Sequence, residues 1–319
     1  MFGSLTREEK VLRGISREMK ILEIGPSFSP MVPKSAGWTA FTLDHADKAN
    51  LTRKYEALGV DCSKIEEVDF VWQGGAVHDC VPEAHHGTFD AIVACHVLEH
   101  IPDPISFFES LRILLTENGI VSLVLPDKRY TFDFLRPLTI TSDLIVAHEE
   151  KRDRHSRAAI LSERLNAITS DGEHVWATWL PLRRVDYANV FDLAVAPRPE
   201  QASGDYVDCH GSTFTPSSFD LIALELGALN LLDFRVEFRF RPWGCEFYRT
   251  LRVGAAASPV AGELTKRRLS LHRQIAKELA QRPFINDPAG SPIDPEARGR
   301  TRATLRRLRG FVWRRFLAE

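Results

Sequence analysis

Five short apolar segments, separated by stretches with helical character, are the feature that most constrains how this chain can fold. Each segment is apolar on both faces, as expected of strands buried inside a parallel sheet. Strands that alternate with helices favour an α/β architecture with right-handed crossovers. The predicted strands cover residues 20–24, 38–44, 68–72, 89–95 and 120–126. The predicted helices cover residues 7–19, 46–57 and 104–115.

The alternation ends with the fifth strand, and a different pattern closes the domain. Thr215-Pro216 predicts the start of a helix that runs through Leu226. Two further apolar segments, 232–240 and 245–253, are joined by only four residues, so an antiparallel hairpin is predicted there. The predicted fold is α/β: a Rossmann-like, seven-stranded, mostly parallel sheet with a C-terminal antiparallel hairpin, a helical insertion and a basic helical tail.

Changes of pattern along the chain predict one domain over 1–254 and a helical C-terminal extension over 255–319. Residues 128–214 form an insertion in the domain, with helical stretches at about 139–168, aromatic-rich loops and no clear strand. Long additions at strand ends commonly carry specificity, so this insertion is predicted to be the substrate lid. In the extension, residues 264–282 are predicted to be helical.

The last segment, 298–319, is rich in arginine and has an apolar stripe at helical spacing. A basic amphipathic helix of this kind can lie on an anionic membrane surface, bind a partner protein or pack on its own domain. Packing or partner binding is favoured over the membrane surface.

Charge and cysteine usage bear on the class of protein. The formal net charge is −2, which gives no reason to expect nucleic acid as a partner. No apolar run approaches the length of about 18 residues that a spanning helix needs, and the N-terminal MFGSLTREEK lacks the apolar core of a signal peptide. The 5 cysteines are scattered without a CxxC pair, which favours reduced thiols in a cytoplasmic protein.

Small and polar residues follow the predicted strands where each one ends. Ligands of open α/β sheets bind beyond these carboxyl ends, near the switch in strand order. Gly25 permits a tight turn and the close approach of a ligand to the backbone. Asp44 ends the second strand, where a carboxylate can accept hydrogen bonds from both hydroxyls of a ribose. The other strand-end residues are Glu23, Pro26, Ser27, Gln73, Gly74, Cys95, His96 and Asp127.

The turn after the first strand discriminates between nucleoside cofactors. A pyrophosphate usually needs a G-x-G-x-x-G loop, whose bare backbone and following helix face the phosphates. Only Gly25 of that pattern is present, and Pro26 and Pro30 remove amide donors. The loop therefore argues against NAD or FAD, whereas S-adenosylmethionine, which has no phosphate, tolerates it.

The order of these motifs resembles that of class I S-adenosylmethionine-dependent methyltransferases. More narrowly, it is similar to bacterial members associated with surface-polysaccharide and glycosyltransferase systems. The motifs are LEIGPSFSP (22–30), LDHAD (43–47), VDFVWQGG (68–75), FDAIVACHVLEHIPDP (89–104) and LVLPDKRYTFD (123–133).

The resemblance implies a role for each strand-end residue. Glu23, Gly25 and Ser27, with Pro26 in the same turn, would line the methionine end of the cofactor. Asp44 would bind its ribose. Gln73 and Gly74 would flank the adenine, and Cys95 and His96 would cover its other side.

Methyl transfer from a sulfonium mainly requires alignment of the acceptor and exclusion of water, but an oxygen acceptor must also lose its proton. Three residues are predicted to be catalytic: Asp127 at the end of the fifth strand, His210 before the closing helix, and His100. His148 and His155 are expected on a solvated helix face. Lys128, Arg129 and Arg136 are candidates to meet an anionic group such as the diphosphate of a sugar carrier.

A rival motif, H-x-x-E-H at His96, Glu99 and His100, matches the signature of inverted zinc peptidases. That site needs both histidines on one helical face, and Pro102 and Pro104 leave no continuous helix through the motif. No metal is therefore predicted.

The predicted function is transfer of a methyl group to a small or carbohydrate-type acceptor, on oxygen, in cell-envelope glycan biosynthesis. One alternative is a noncatalytic scaffold with the same fold that partners a glycosyltransferase. The other is an HxxEH zinc hydrolase.

Overall fold

The computed structural model describes residues 5–170, 173–176, 185–188, 206–254 and 261–281. Its strands are β1 (Ile21–Ile24), β2 (Ala40–Asp44), β3 (Phe70–Val71), β4 (Phe89–Cys95), β5 (Leu115–Pro126), β6 (Ile168–Ser170), β7 (Glu173–His174), β8 (Val185–Tyr187), β9 (Phe234–Trp243) and β10 (Glu246–Val253). Its α-helices are α1 (Arg7–Val11), α2 (Lys48–Ala57), α3 (Pro104–Leu114), α4 (Thr141–Glu149), α5 (Arg157–Asn166), α6 (Pro216–Ala228) and α7 (Ala261–Ala280).

The central sheet has seven strands in the order β3-β2-β1-β4-β5-β10-β9. The strands from β3 to β5 run parallel to one another, whereas β10 lies antiparallel to both β5 and β9. This arrangement confirms the predicted fold class, including the C-terminal antiparallel hairpin.

Register brings the ends of three strands together. Ile24 pairs with Leu43 of β2 on one side and with Ala94 of β4 on the other. The residues that follow in register, Gly25, Asp44 and Cys95, therefore lie side by side at the carboxyl edge. Because β1 is flanked by β2 and β4, this edge is the switch point at which open α/β sheets bind ligands.

Two predicted element boundaries are wrong. The first helix ends at Val11 instead of residue 19, because the chain turns at Gly14, which has φ +82°. The fifth strand starts at Leu115 instead of residue 120, and Leu115 pairs there with Phe89. A register irregularity after Phe89 absorbs the extra residues of β5.

The prediction that the insertion contains no strand is also wrong. β6 pairs antiparallel with both β7 and β8 and forms a small second sheet. These strands have only two or three residues each, so they carry too few side chains to show a period-2 pattern in the sequence. The helical prediction for the insertion is confirmed by α4 and α5.

The first helix of the extension packs on the domain. Ser217, in the first turn of α6, donates its hydroxyl to Glu278 of α7 over 2.7 Å. Arg268 of α7 forms an ion pair with Glu225 over 2.7 Å. The basic segment 298–319 lies outside the described residues, which include no helix long and apolar enough to cross a bilayer.

Candidate active site

The turn after β1 has the tight geometry expected of it. Gly25 adopts φ +64° and donates its amide to Leu43 over 2.7 Å. Ser27, which is not a glycine, is also left-handed, at φ +52°, a conformation that is strained and concentrates at functional sites. The Glu23 carboxylate accepts the amides of Met31 and Val32 over 2.7 and 3.1 Å, so it holds the turn from beneath.

Asp44 faces this turn. Its Oδ2 accepts the amide of Ser27 over 2.8 Å, and its Oδ1 accepts the amide and the ring Nδ1 of His45 over 2.8 and 2.7 Å. The residue is 2% exposed. Burial opposes ionisation, but the hydrogen bonds from His45 and Ser27 outweigh it and lower the pKa of Asp44. Asp44 is therefore an ionised carboxylate at neutral pH.

A cleft of about 1120 Å³ opens beside Asp44. Its wall includes six of the nine residues predicted to bind the cofactor: Gly25, Ser27, Asp44, Gln73, Gly74 and His96. Pockets for drug-sized ligands have volumes of about 300–1,000 Å³, so this cleft has room for a nucleoside cofactor and a small acceptor together.

The other three predicted residues lie around the cleft instead of in its wall. Glu23 lies beneath the turn, as described. Pro26 lines a small hollow between the turn and Thr42 of β2. Cys95 is buried within the sheet, against side chains that include Val124 and Tyr248.

His96 follows β4 at the wall of the cleft, in a left-handed conformation at φ +55°. Its Nε2 lies 2.8 Å from Oε1 of Glu246, and Glu246 is also bound to Arg7 over 2.8 Å. Burial lowers the pKa of His96, but Glu246 and Glu99 outweigh burial and raise it. The His96 ring is thus held as a cation by carboxylates on both sides.

His100 lies in the wall of the cleft and packs against His210, which is buried, and each of the two histidines contacts a carboxylate. Nδ1 of His100 lies 2.8 Å from Oδ1 of Asp208, and both residues line the cleft. Nδ1 of His210 lies 2.5 Å from Oδ2 of Asp133. The two imidazole rings stand perpendicular to each other with centroids 4.8 Å apart. The structure therefore brings together two of the three residues predicted to be catalytic.

Asp127, the third, is placed differently. It is fully buried, and its Oδ1 and Oδ2 accept hydrogen bonds from Nε and Nη2 of Arg129 over 2.9 and 2.5 Å, respectively. Burial outweighs this ion pair and raises the pKa of Asp127. It does not belong to the described wall of the cleft. Because its hydrogen-bonding capacity is directed at Arg129, the geometry favours a structural role over that of a base.

The basic residues predicted to meet an anionic group have internal partners. Arg129 pairs with Asp127, and Nη1 of Arg136 lies 2.7 Å from Oδ1 of Asp133. Lys128 donates its ammonium to the carbonyl of Phe134 over 2.7 Å. Other basic residues line the cleft, from the loop after α4: Lys151, Arg152, which pairs with Glu150 over 2.6 Å, and Arg154, which pairs with Asp153 over 2.9 Å.

Of the two histidines predicted on a solvated helix face, His148 lies half-buried on α4 and His155 is buried in the loop after that helix. His148 contacts Asp103 over 3.1 Å from α4. His155 is 7% exposed, and burial lowers its pKa to about 4. Its Nε2 lies 3.4 Å from the hydroxyl of Tyr206, another residue of the cleft wall.

Sequence reasoning missed Glu99, Asp133 and Asp208 as parts of the site. Glu99 is 0% exposed, in the short turn Leu98–His100 after β4. Its place beside His100 in the H-x-x-E-H motif is the one available signal. Asp133 is 77 positions from His210 in the sequence, and Asp208 is 108 positions from His100, so no local sequence pattern predicts these contacts. The two histidines of this motif contact different carboxylates, His96 that of Glu246 and His100 that of Asp208.

Comparison with known proteins decides the family. A model of the methyltransferase domain matches residues 9–196, which is more than half of the chain. The chain belongs to this methyltransferase family. The predicted class is thereby confirmed, with S-adenosylmethionine as its cofactor.

This methyltransferase is also similar to a curated enzyme and to solved structures. Ubiquinone biosynthesis O-methyltransferase of Histophilus somni (strain 2336) is 29% identical over 110 residues, which are 33% of this chain and 43% of that enzyme. A SAM-dependent methyltransferase of Aquifex aeolicus has 12% identity and a TM-score of 0.39, over 77% of this chain and 89% of that one. A protein described as a Zn-dependent alcohol dehydrogenase of Rhodobacter sphaeroides has 11% identity and a TM-score of 0.41, over 79% of this chain and 92% of that one.

Proposed function

We propose that this methyltransferase transfers a methyl group from S-adenosylmethionine to an oxygen of a small hydroxylated acceptor. The observation that carries the proposal is the position of Asp44. Its ionised carboxylate contacts the turn after Gly25 in the wall of one cleft, and the wall of the same cleft includes His100, which packs against the buried His210. The part of the wall around Asp44 thus suits a nucleoside, and the part around His100 suits the acceptor hydroxyl that must lose its proton.

The described residues fit the cofactor. Asp44 carries a negative charge where ribose hydroxyls need an acceptor, and Gly25 lets the backbone approach the ligand. Ser27, Gln73, Gly74 and His96 would line the remaining length of the cofactor. When bound, S-adenosylmethionine supplies a methyl group already activated by its sulfonium. The protein therefore has to hold the acceptor in line and exclude water, which can contribute about 7–11 kcal/mol to lowering the barrier.

The acceptor end has the parts needed to activate a hydroxyl. His100 and His210 are each oriented through Nδ1 by a carboxylate, Asp208 and Asp133. Such a bond fixes the ring and directs Nε2 away from the carboxylate. We expect this pair, instead of Asp127, to act on the hydroxyl of the acceptor.

The class of acceptor is the finer part of the proposal. Lys151, Arg152 and Arg154 line the cleft and suit an acceptor with a carboxylate or phosphate. A carbohydrate-type acceptor from cell-envelope glycan assembly, the class suggested by the family resemblance, meets this requirement when it carries a phosphate or carboxylate. In this proposal the domain spans 1–254, residues 128–214 cover the acceptor, and 255–319 form an extension whose helix α7 docks on α6.

The experiment is turnover of S-adenosylmethionine by the full-length protein. Formation of S-adenosylhomocysteine would be measured in the presence of phenolic, sugar, sugar-phosphate and amine acceptors. In parallel, the binding of the two nucleosides, S-adenosylmethionine and S-adenosylhomocysteine, would be measured by calorimetry. We expect both nucleosides to bind and an oxygen acceptor to support turnover. Binding without turnover across the panel would instead favour the noncatalytic scaffold, and absence of binding would refute the cofactor site.

A further inference from the structure

Three side chains at the acceptor end of the cleft converge on one point. Glu99 contributes a carboxylate oxygen, and His100 and His210 each contribute a ring nitrogen. These atoms lie within 4.8 Å of one another. Bonds from Zn²⁺ to such donors measure about 2.0–2.2 Å, so the ligand atoms around an ion lie about 3–4 Å apart. A contraction of about 1 Å would bring the three donor atoms to that spacing.

Glu99 is the observation that calls for a ligand. The side chain is fully buried, and neither of its oxygens accepts a hydrogen bond of normal geometry from any residue that the structure describes. Its ion-pair partner is His96, whose Nδ1 lies 3.3 Å from Oε1 and whose Nε2 is already bound to Glu246. Buried carboxylates are normally hydrogen-bonded, paired or bound to a metal, because desolvating the charge is costly.

The two histidines have the surroundings of metal ligands. A histidine that binds a metal almost always donates its other ring N–H to a carboxylate, a carbonyl or water. Here Nδ1 of His100 contacts Asp208, and Nδ1 of His210 contacts Asp133. With Nδ1 turned to the carboxylate, this arrangement presents Nε2 as the coordinating atom in both rings.

The geometry points to a divalent transition-metal site formed by Glu99, His100 and His210. Two imidazoles and one carboxylate suit a divalent transition metal such as Zn²⁺ better than Mg²⁺ or Ca²⁺, which prefer oxygen donors. A second cluster, Asp133, Glu163 and His210, is less suitable, because the Arg136 guanidinium already lies 2.7 Å from Asp133 and 3.9 Å from Glu163. The ligands are the last two residues of the H-x-x-E-H motif together with a distant histidine, and His96 takes no part.

The site has a chemical use that rests on the proposed function. His100 lines the cleft, so three protein ligands leave the remaining coordination positions open toward the acceptor. A hydroxyl bound there would lose its proton more readily, and the proton would leave to solvent water through the cleft. The oxygen would keep the electron pair that forms the new bond to the methyl carbon, while the carbon–sulfur bond breaks and sulfur keeps its electrons.

Metal binding would be measured directly on the full-length protein after treatment with a chelator. Zn²⁺ would be titrated by calorimetry, and Mn²⁺ by electron paramagnetic resonance of the free ion. We expect one equivalent to bind. Glu99→Gln and His100→Gln should weaken binding at least about a hundredfold through loss of a ligand, and Asp208→Asn about 10–100-fold through loss of the group that orients His100.

His148→Gln is the matched control, since His148 is another histidine paired with an aspartate, Asp103, over 3.1 Å. It should bind the ion like the wild type. Absence of saturable binding below about 1 mM, or equal affinity in all variants, would overturn the proposal. If Glu99→Gln fails to fold by circular dichroism, the partly exposed His100 decides the outcome. Binding of S-adenosylmethionine is measured alongside: intact nucleoside binding without metal refutes the metal site alone, whereas metal binding without nucleoside binding refutes the proposed function alone.

Discussion

Replacement of Asp44 by asparagine removes the charge from the proposed ribose site and leaves the shape of the side chain unchanged. The carboxylate has about four lone-pair positions, of which the amide of Ser27 takes one on Oδ2, and His45 takes two on Oδ1. One position therefore remains on Oδ2 for a ribose hydroxyl. In the variant, the amide NH₂ must face either Ser27 or His45, both of which are donors.

The expected loss of affinity follows from this count. A hydrogen bond to a charged group contributes about 1.5–3 kcal/mol, which corresponds to a rise in Kd of about 10-fold to about 150-fold. S-adenosylmethionine and S-adenosylhomocysteine share the ribose, so both should weaken by the same factor. Calorimetric titration with each ligand measures that factor.

The control is Asp47→Asn, three residues further along the chain. Asp47 is exposed and caps α2 by accepting the amide of Asn50 over 2.8 Å, and asparagine caps a helix equally well. This variant should bind both ligands like the wild type. If Asp44→Asn keeps its circular dichroism spectrum and binds both ligands with unchanged Kd, Asp44 does not hold the ribose and the reasoning is refuted.

Three further predictions concern stability. Asp127→Asn should lower the free energy of unfolding by about 3–5 kcal/mol in urea titrations, because it leaves the buried Arg129 without its counter-charge; an unchanged midpoint would contradict the ion pair. Gly211→Ala should lower the free energy of unfolding by about 1–3 kcal/mol, since a Cβ there would lie 2.5 Å from the His155 ring. The control Gly262→Ala, whose Cβ would meet open space, should leave stability unchanged or raise it. Equal melting temperatures for the two variants would argue against the close contact at Gly211. Burial lowers the pKa of His155 to about 4, so this histidine stays neutral in the folded state while it takes up a proton in the unfolded state below about pH 6.5. As the pH falls from about 6.5 to about 4, up to about 3 kcal/mol of the free energy of unfolding is therefore lost. His155→Gln should reduce this loss when unfolding is measured as a function of pH, and an unaltered pH profile would show that His155 is not the cause.

The parallel half of the sheet was predictable because strands that are buried on both faces consist of continuous apolar residues, which can be recognised in the sequence. All five predicted strands of that half are present, although β3 is reduced to Phe70–Val71. Asp44 ends β2 as predicted, since a polar residue after a buried run can only stand at the edge of the sheet. The position of β10 between β5 and β9 depends on pairing over long distances, which the hairpin alone does not specify.

The site was predictable where it follows from strand ends and not where it depends on the insertion. His100 and His210 were recognised as single residues, but their convergence requires Gly211 to pass close to His155 and the amide of Ser212 to reach the carbonyl of Glu99 over 3.2 Å. Asp127 stands at a strand end, as a base should, yet Arg129 folds back onto it within two residues. Which partner a charged side chain selects depends on its surroundings in three dimensions.

The ion pair between Arg7 and Glu246 joins residues 239 positions apart, and His96 contacts the same carboxylate. A ribosome must therefore synthesise almost all of the domain before the imidazole gains Glu246 as a counterion in addition to the nearby Glu99. Until β10 emerges, one side of β5 remains a bare row of amides and carbonyls, open to pairing with a foreign chain. Contacts of such high sequence separation slow folding, so nascent chains of this methyltransferase should depend on chaperones until the final hairpin zips onto the sheet.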